Sequence, residues 1–245
     1  MGKEIIESLI HVIAILPLLF LCIKTDNSKR IKLIILFVMY FIGYQVLLRL
    51  PFYFSSFQFI EGDWNWSGKL LAIIGSLIFY SFFKNNFYPH HFLTIKQEKK
   101  SLRRIIIIIA VISVISIIGG FLFNNESWNL ETLFFQLTLP GMDEEIAYRG
   151  IMLGILSSIL SEKIRIFKIT ISNPSIWIIG ILFGLIHALK LNSDWELSFN
   201  ILYFVETFIL GTVWGWMAVK SKSILLPIIS HNLSNTFMSL IGMIK

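Results

Sequence analysis

Cysteine is nearly absent. Cys22 is alone among 245 residues, which excludes an internal disulfide or a cysteine-held metal and suits a place on an apolar helix face. Charge is scarce as well, at 15% of residues, against roughly a quarter in soluble domains. With 56% hydrophobic residues and a mean hydropathy of +0.75, the composition excludes an ordinary soluble domain and makes the lipid bilayer the expected surroundings. Internal repeats, Gly/Ser-rich linkers and low-complexity tails are also missing, so one membrane domain over residues 1–245 is expected. Lysine and arginine outnumber the acids by 21 to 15, a net charge of +6. That surplus does not point to nucleic acid, because the basic residues fall in short clusters between apolar runs, as cytoplasmic loops do.

A membrane span needs about 20 mostly apolar residues. Eight stretches approach or reach that length: 5–23, 31–54, 70–87, 105–123, 146–160, 175–189, 199–219 and 224–244. Residues 130–139 are apolar but too short to cross, and Pro140 and Gly141 follow them. The expected fold is therefore all-α: a polytopic membrane helical bundle of about eight transmembrane helices plus one short interfacial or re-entrant helix. The first stretch lacks a small-residue cleavage site and is expected to be a retained span.

Lys24, Lys29, Arg30 and Lys32 follow the first span, Lys84 to Arg104 the third, Lys163, Arg165 and Lys168 the fifth, and Lys220 and Lys222 the seventh. Alternate loops carry acids: Glu61 and Asp63, Glu126 and Glu131, Asp194 and Glu196. Eight crossings give that alternation and place both termini outside the cytoplasm. The abundance of Ile, Phe, Asn and Lys suggests an AT-rich bacterial genome, and hence a multi-pass protein of a bacterial plasma membrane.

Ionisable groups inside a bilayer cost about 2.5–3.5 kcal/mol each on insertion scales, so several in one region need a reason. EEIAYR puts Glu144, Glu145 and Arg149 on one helix, FGLIH puts Phe183 and His187 one turn apart, and HNLSN does the same for His231 and Asn235. Glu145 and Arg149 share a helix face while Glu144 points about 100° away. The arginine is therefore expected to hold Glu145 and to leave Glu144 free for chemistry. A carboxylate, two imidazoles and an amide suit peptide-bond hydrolysis. Glu144 would take a proton from water, His187 would orient that water, and His231 and Asn235 would stabilise the oxyanion, at roughly 3 kcal/mol per donor.

These motifs, in this order on separate helices, resemble the signature of the CAAX protease and bacteriocin-processing (CPBP, or Abi) family of intramembrane endopeptidases, which includes the type II CAAX prenyl endopeptidases. The likeness spans residues 130–244, with the run Gly211 to Gly215 and the segment SKSILLPIISHNLSN; residues 1–125 carry no recognised motif. The resemblance implies catalytic roles for Glu144, His187, His231 and Asn235, and supporting ones for Glu145, Arg149 and Phe183. It also implies a membrane-associated peptide or protein as substrate.

No cofactor is expected on this reading. A zinc variant remains, with Glu144, His187 and His231 as ligands and one open position, although HExxH is absent. A non-catalytic bacteriocin-immunity or binding protein is the second class; a proton-coupled transporter is disfavoured by the lack of repeats. Structural roles are expected for the other polar residues. Asp143 reads as a solvated cap, His11 with Glu7 and Gln45 with Arg49 as pairs satisfying each other, and His90 and His91 as loop residues. Glu206, an acid within the seventh span, is expected to line a cavity, pair with an arginine or bind substrate.

Overall fold

The computed structural model describes residues 1–24, 29–87 and 89–245. It is an all-α bundle of helices α1 (Gly2–Cys22), α2 (Arg30–Tyr53), α3 (Trp66–Phe83), α4 (Leu102–Phe123), α5 (Leu130–Glu144), a π-helical segment (Glu145–Met152), α6 (Leu153–Ile159), α7 (Pro174–Ala188), α8 (Ile201–Ser221) and α9 (Leu225–Ile244). Two short antiparallel hairpins complete it: β1 (Lys163–Ile166) with β2 (Ile169–Ser172), and β3 (Leu189–Leu191) with β4 (Leu197–Phe199). Among the described residues five helices are long and apolar enough to cross a membrane on their own: α1, α2, α3, α4 and α8.

The expected short helix before Pro140 is not separate. α5, the π segment and α6, of 15, 8 and 7 residues, follow one another without a break, a rod of about 45 Å at 1.5 Å per residue. Pro140 lies inside it, where a proline removes one ladder bond. Asn232 of α9 braces the backbone on either side of it: its Oδ1 accepts from the Gly141 N–H at 2.7 Å, and its Nδ2 donates to the Thr138 carbonyl at 3.0 Å. Gly141 permits this approach, since a Cβ there would lie 2.5 Å from Asn232 Oδ1 and 2.9 Å from the Ile228 carbonyl. Asn232→Leu removes both of these bonds and sets an apolar side chain against the two backbone groups. It is expected to cost about 2 kcal/mol, read as a lowered Tm of the detergent-solubilised protein; a loss below about 0.5 kcal/mol, the range of neutral surface changes, would contradict this.

This rod is the centre of the molecule. Every residue from Glu145 to Leu156 is buried, and the π segment packs against α2, α3, α7 and α8. α4 shows the opposite: Ile106, Ile107, Val111, Val114, Ile115 and Ile118 are all exposed, the outward apolar surface that lipid would cover. The N-terminal and C-terminal helices interleave, α1 against α7, α3 against α5 and α4 against α9.

Asparagines cap three helices that start at the same end: Asn65, Asn129 and Asn200 accept from the N–H groups of Gly68, Thr132 and Tyr203, satisfying donors the helix leaves open. Glu61, Asp63, Glu126, Glu131, Asp194 and Glu196 lie at this end, tied together by contacts such as Asn129 Nδ2 to Asp63 and Trp66 Nε1 to Glu131. The basic loops gather at the other end. There the backbone of Ile23 pairs with Leu160, and the N–H groups of Glu98 and Ile224 donate to the carbonyls of Ser221 and Phe92.

Candidate active site

Three elements bring the sequence motifs together. The π segment carries Glu145 and Arg149, both fully buried, with Arg149 Nη1 donating to Glu145 Oε1 at 3.0 Å and Nη2 to the Gly211 carbonyl of α8 at 3.0 Å. The guanidinium lies 4.4 Å from the centre of the Phe183 ring, a stacked arrangement favoured for arginine. Gly211 makes room for both groups: a Cβ there would lie 3.0 Å from Phe183 Cδ1 and 3.2 Å from Arg149 Nη2.

His231 of α9 reaches the same carboxylate, its Nδ1 2.9 Å from Glu145 Oε1. Arg149 holds Glu145 as an acceptor-only carboxylate, so Nδ1 carries the proton. The ring is fixed by stacking on Trp214, with centroids 4.0 Å apart at 11°, and the Trp214 indole N–H donates to Ser230. His231 Nε2 therefore faces Glu144, 3.9 Å from its Oε2. Such a ring donates from Nε2 only when it carries both protons.

His187 of α7 donates from Nδ1 to the Phe183 carbonyl, 2.7 Å away; a carbonyl only accepts, so in the neutral ring Nε2 is left as an acceptor. Phe183 packs against the His187 ring at 4.5 Å, with Tyr203 of α8 on another side. Glu144 and His187 line one cavity of about 270 Å³, together with Tyr44, Arg49, Lys69 and Lys190. It lies at the asparagine-capped, acidic end of the bundle. A larger cavity of about 350 Å³ at the opposite end, lined by His90, His91, Glu162 and Lys222, includes none of the motif residues. Asn235 is half-buried on α9, one turn beyond His231, and among the described residues no hydrogen bond commits its amide.

Several local expectations change. Glu144 is not free of ion pairs: Lys69 of α3 lies 2.9 Å from its Oε1. Asp143 is not a solvated cap but fully buried, paired with Lys69 at 3.0 Å and accepting from the Tyr44 hydroxyl at 2.9 Å. These partners come from α2 and α3, the part of the chain without a motif. His11 does not pair with Glu7; its Nε2 donates to the Leu189 carbonyl, while Glu7 takes Arg49 and the Leu191 N–H. Gln45 does accept from Arg49 and also donates to the Tyr148 hydroxyl. Glu206 is exposed on α8 and does not line the cavity.

The residues do not fit the zinc site that the sequence left open. Among the described residues no three His, Cys, Asp or Glu side chains are grouped to hold a metal, and the Lys69 ammonium on Glu144 would repel a divalent cation.

A family model described as type II CAAX prenyl endopeptidase Rce1-like matches residues 126–237. The match contains Glu144, Glu145, Arg149, Phe183, His187, His231 and Asn235. No curated protein and no solved structure matches the chain. The apolar helices make this a multi-pass membrane protein, and residues 126–237 are similar to the Rce1-like, type II CAAX prenyl endopeptidases, a likeness that supports an intramembrane protease.

Proposed function

We propose that the protein is a CPBP-type endopeptidase that hydrolyses a peptide bond in a membrane-associated peptide or protein, using water activated between Glu144 and His187. The observation that carries this reading is that both side chains line one cavity, with His187 Nε2 turned into an acceptor by the Nδ1 bond to Phe183. Water placed there gives its proton to Glu144 while its oxygen attacks the carbonyl carbon. The carbonyl oxygen becomes an oxyanion, which accepts from the Asn235 amide and from His231 Nε2 when that ring holds both protons. As the intermediate collapses the C–N bond breaks, and the proton on Glu144 passes to the leaving amine. Glu145 and Arg149 hold His231 in place and take no proton.

Lysine and arginine concentrate on the cytoplasmic side of membrane proteins, so the basic end of the bundle faces the cytoplasm and the cavity opens toward the outer face of a bacterial plasma membrane. Substrates in keeping with that position are leader peptides or other membrane-tethered chains. Comparing membrane peptides from cells that express the wild type or Glu144→Gln tests the reading: a cleavage product present only with the wild type is expected, and its formation should survive chelation of divalent metals. Identical profiles would overturn the peptidase assignment. Bacteriocin protection retained by Glu144→Gln would favour an immunity protein acting by contact.

A further inference from the structure

Adjacent residues on a helix point about 100° apart, and the α5 residue that falls between Asp143 and Glu144 one turn earlier, Pro140, carries no charge. Lys69, in the first turn of α3, fills that place, 3.0 Å from Asp143 Oδ2 and 2.9 Å from Glu144 Oε1. Only 13% of its side chain is exposed. The cluster is anchored at its far end, because Asp143 is fully buried and also accepts from the Tyr44 hydroxyl of α2 at 2.9 Å. Tyr44 in turn packs edge-on against Tyr148 of the π segment, ring centroids 5.9 Å apart. A row of four groups, Tyr44, Asp143, Lys69 and Glu144, thus ends at the carboxylate.

We propose that Lys69 is a positioning residue for Glu144. This rests on the reading of Glu144 as the group that activates water. By holding Oε1, the ammonium turns Oε2 toward His231 Nε2, 3.9 Å away, and fixes the carboxylate at the cavity wall. Asp143 serves as the buried second counter-ion that keeps Lys69 from following Glu144 when substrate enters. Without the ammonium Glu144 Oε1 loses the hydrogen bond that holds it, whatever the charge of residue 143, and the carboxylate would swing away from the His231 side. The N-terminal helices, which bear no motif, then supply part of the machinery rather than a passive frame.

Lys69→Met alone would leave Asp143 buried without its cation, so it is expected to accumulate poorly. The informative background is Asp143→Asn, which removes that charge while an amide oxygen still accepts from Tyr44. In this background Lys69→Met is expected to accumulate as its parent does and to lower kcat by about 10²-fold, the cost of a misplacement of about 1 Å. KM should change little, which marks an interaction made in the transition state, and Lys69→Arg should recover most of the loss. An unchanged kcat would mean that Lys69 only neutralises Asp143, and would overturn the proposal.

A second readout needs no activity. In the same background the Tm shifts of Lys69→Met and Glu144→Gln should be non-additive, as for residues in contact. Additive shifts would overturn the Lys69–Glu144 contact itself. Non-additive shifts in a protein that cleaves nothing would support the contact and overturn the peptidase reading, so the two failures are distinguishable.

Discussion

Arg149→Met is expected to lower the unfolding free energy by about 3–5 kcal/mol, the range for breaking a buried pair by removal of one partner. Both Arg149 and Glu145 are fully buried. Loss of the guanidinium leaves Glu145 with His231 as its remaining partner and leaves the Gly211 carbonyl without its donor. The shape of methionine cannot replace the flat group lying over Phe183. In a thermal melt of the solubilised protein the shift should be on the order of 10 °C for a chain of this size. Glu145→Gln combined with Arg149→Met should lose less than Arg149→Met alone, because no unpaired carboxylate is left in the core. A single variant that melts within about 2 °C of the wild type, less than 1 kcal/mol, would show that the pair contributes little to the fold.

Glu144→Gln is expected to slow cleavage by about 10²–10⁴-fold, the usual contribution of a positioned acid–base group, while the protein still reaches the membrane. Glutamine keeps the volume and can accept from Lys69, but it cannot take a proton from water. Asp143 still faces Lys69 in this variant, so the cation keeps a partner and the helix packing is preserved. Rates are best compared under single-turnover conditions, where the chemical step is separated from product release. Wild-type rates in a folded Glu144→Gln protein would remove the proposed base.

The membrane bundle and the three motifs were legible in the sequence because each has a short-range signature: an apolar run for each span, and a spacing of four for each polar pair. The extent of the central helix was not. Proline and glycine at 140 and 141 read as a stop, and the residue that braces the helix there, Asn232, lies 91 positions from Gly141. Asp143 and Glu144 read as a solvated cap and a free acid because their cation is 74 and 75 residues away. One signal did point to it. Arg49, Lys69 and Lys190 fall at the acidic end of the bundle, against the charge alternation of the loops, and all three line the cavity. Basic residues on the side where acids gather are the trace that a charged cavity leaves in such a sequence.

The eight residues from Glu145 to Met152 wind as a π-helix, in which the Leu153 N–H reaches back five residues to Tyr148 rather than four. Such a segment holds one residue more than the α-helix it interrupts. Removal of a single amino acid within it would restore a regular helix and turn everything on one side of it by about 100° relative to the other. Glu144 would rotate off the cavity wall and Gly141 away from Asn232. Length in this stretch is therefore constrained more tightly than the identity of its apolar side chains: conservative exchanges at Ile146, Ile151 and Met152 leave the acid in place, whereas a one-codon deletion there would disarm the protein even with every motif residue still present.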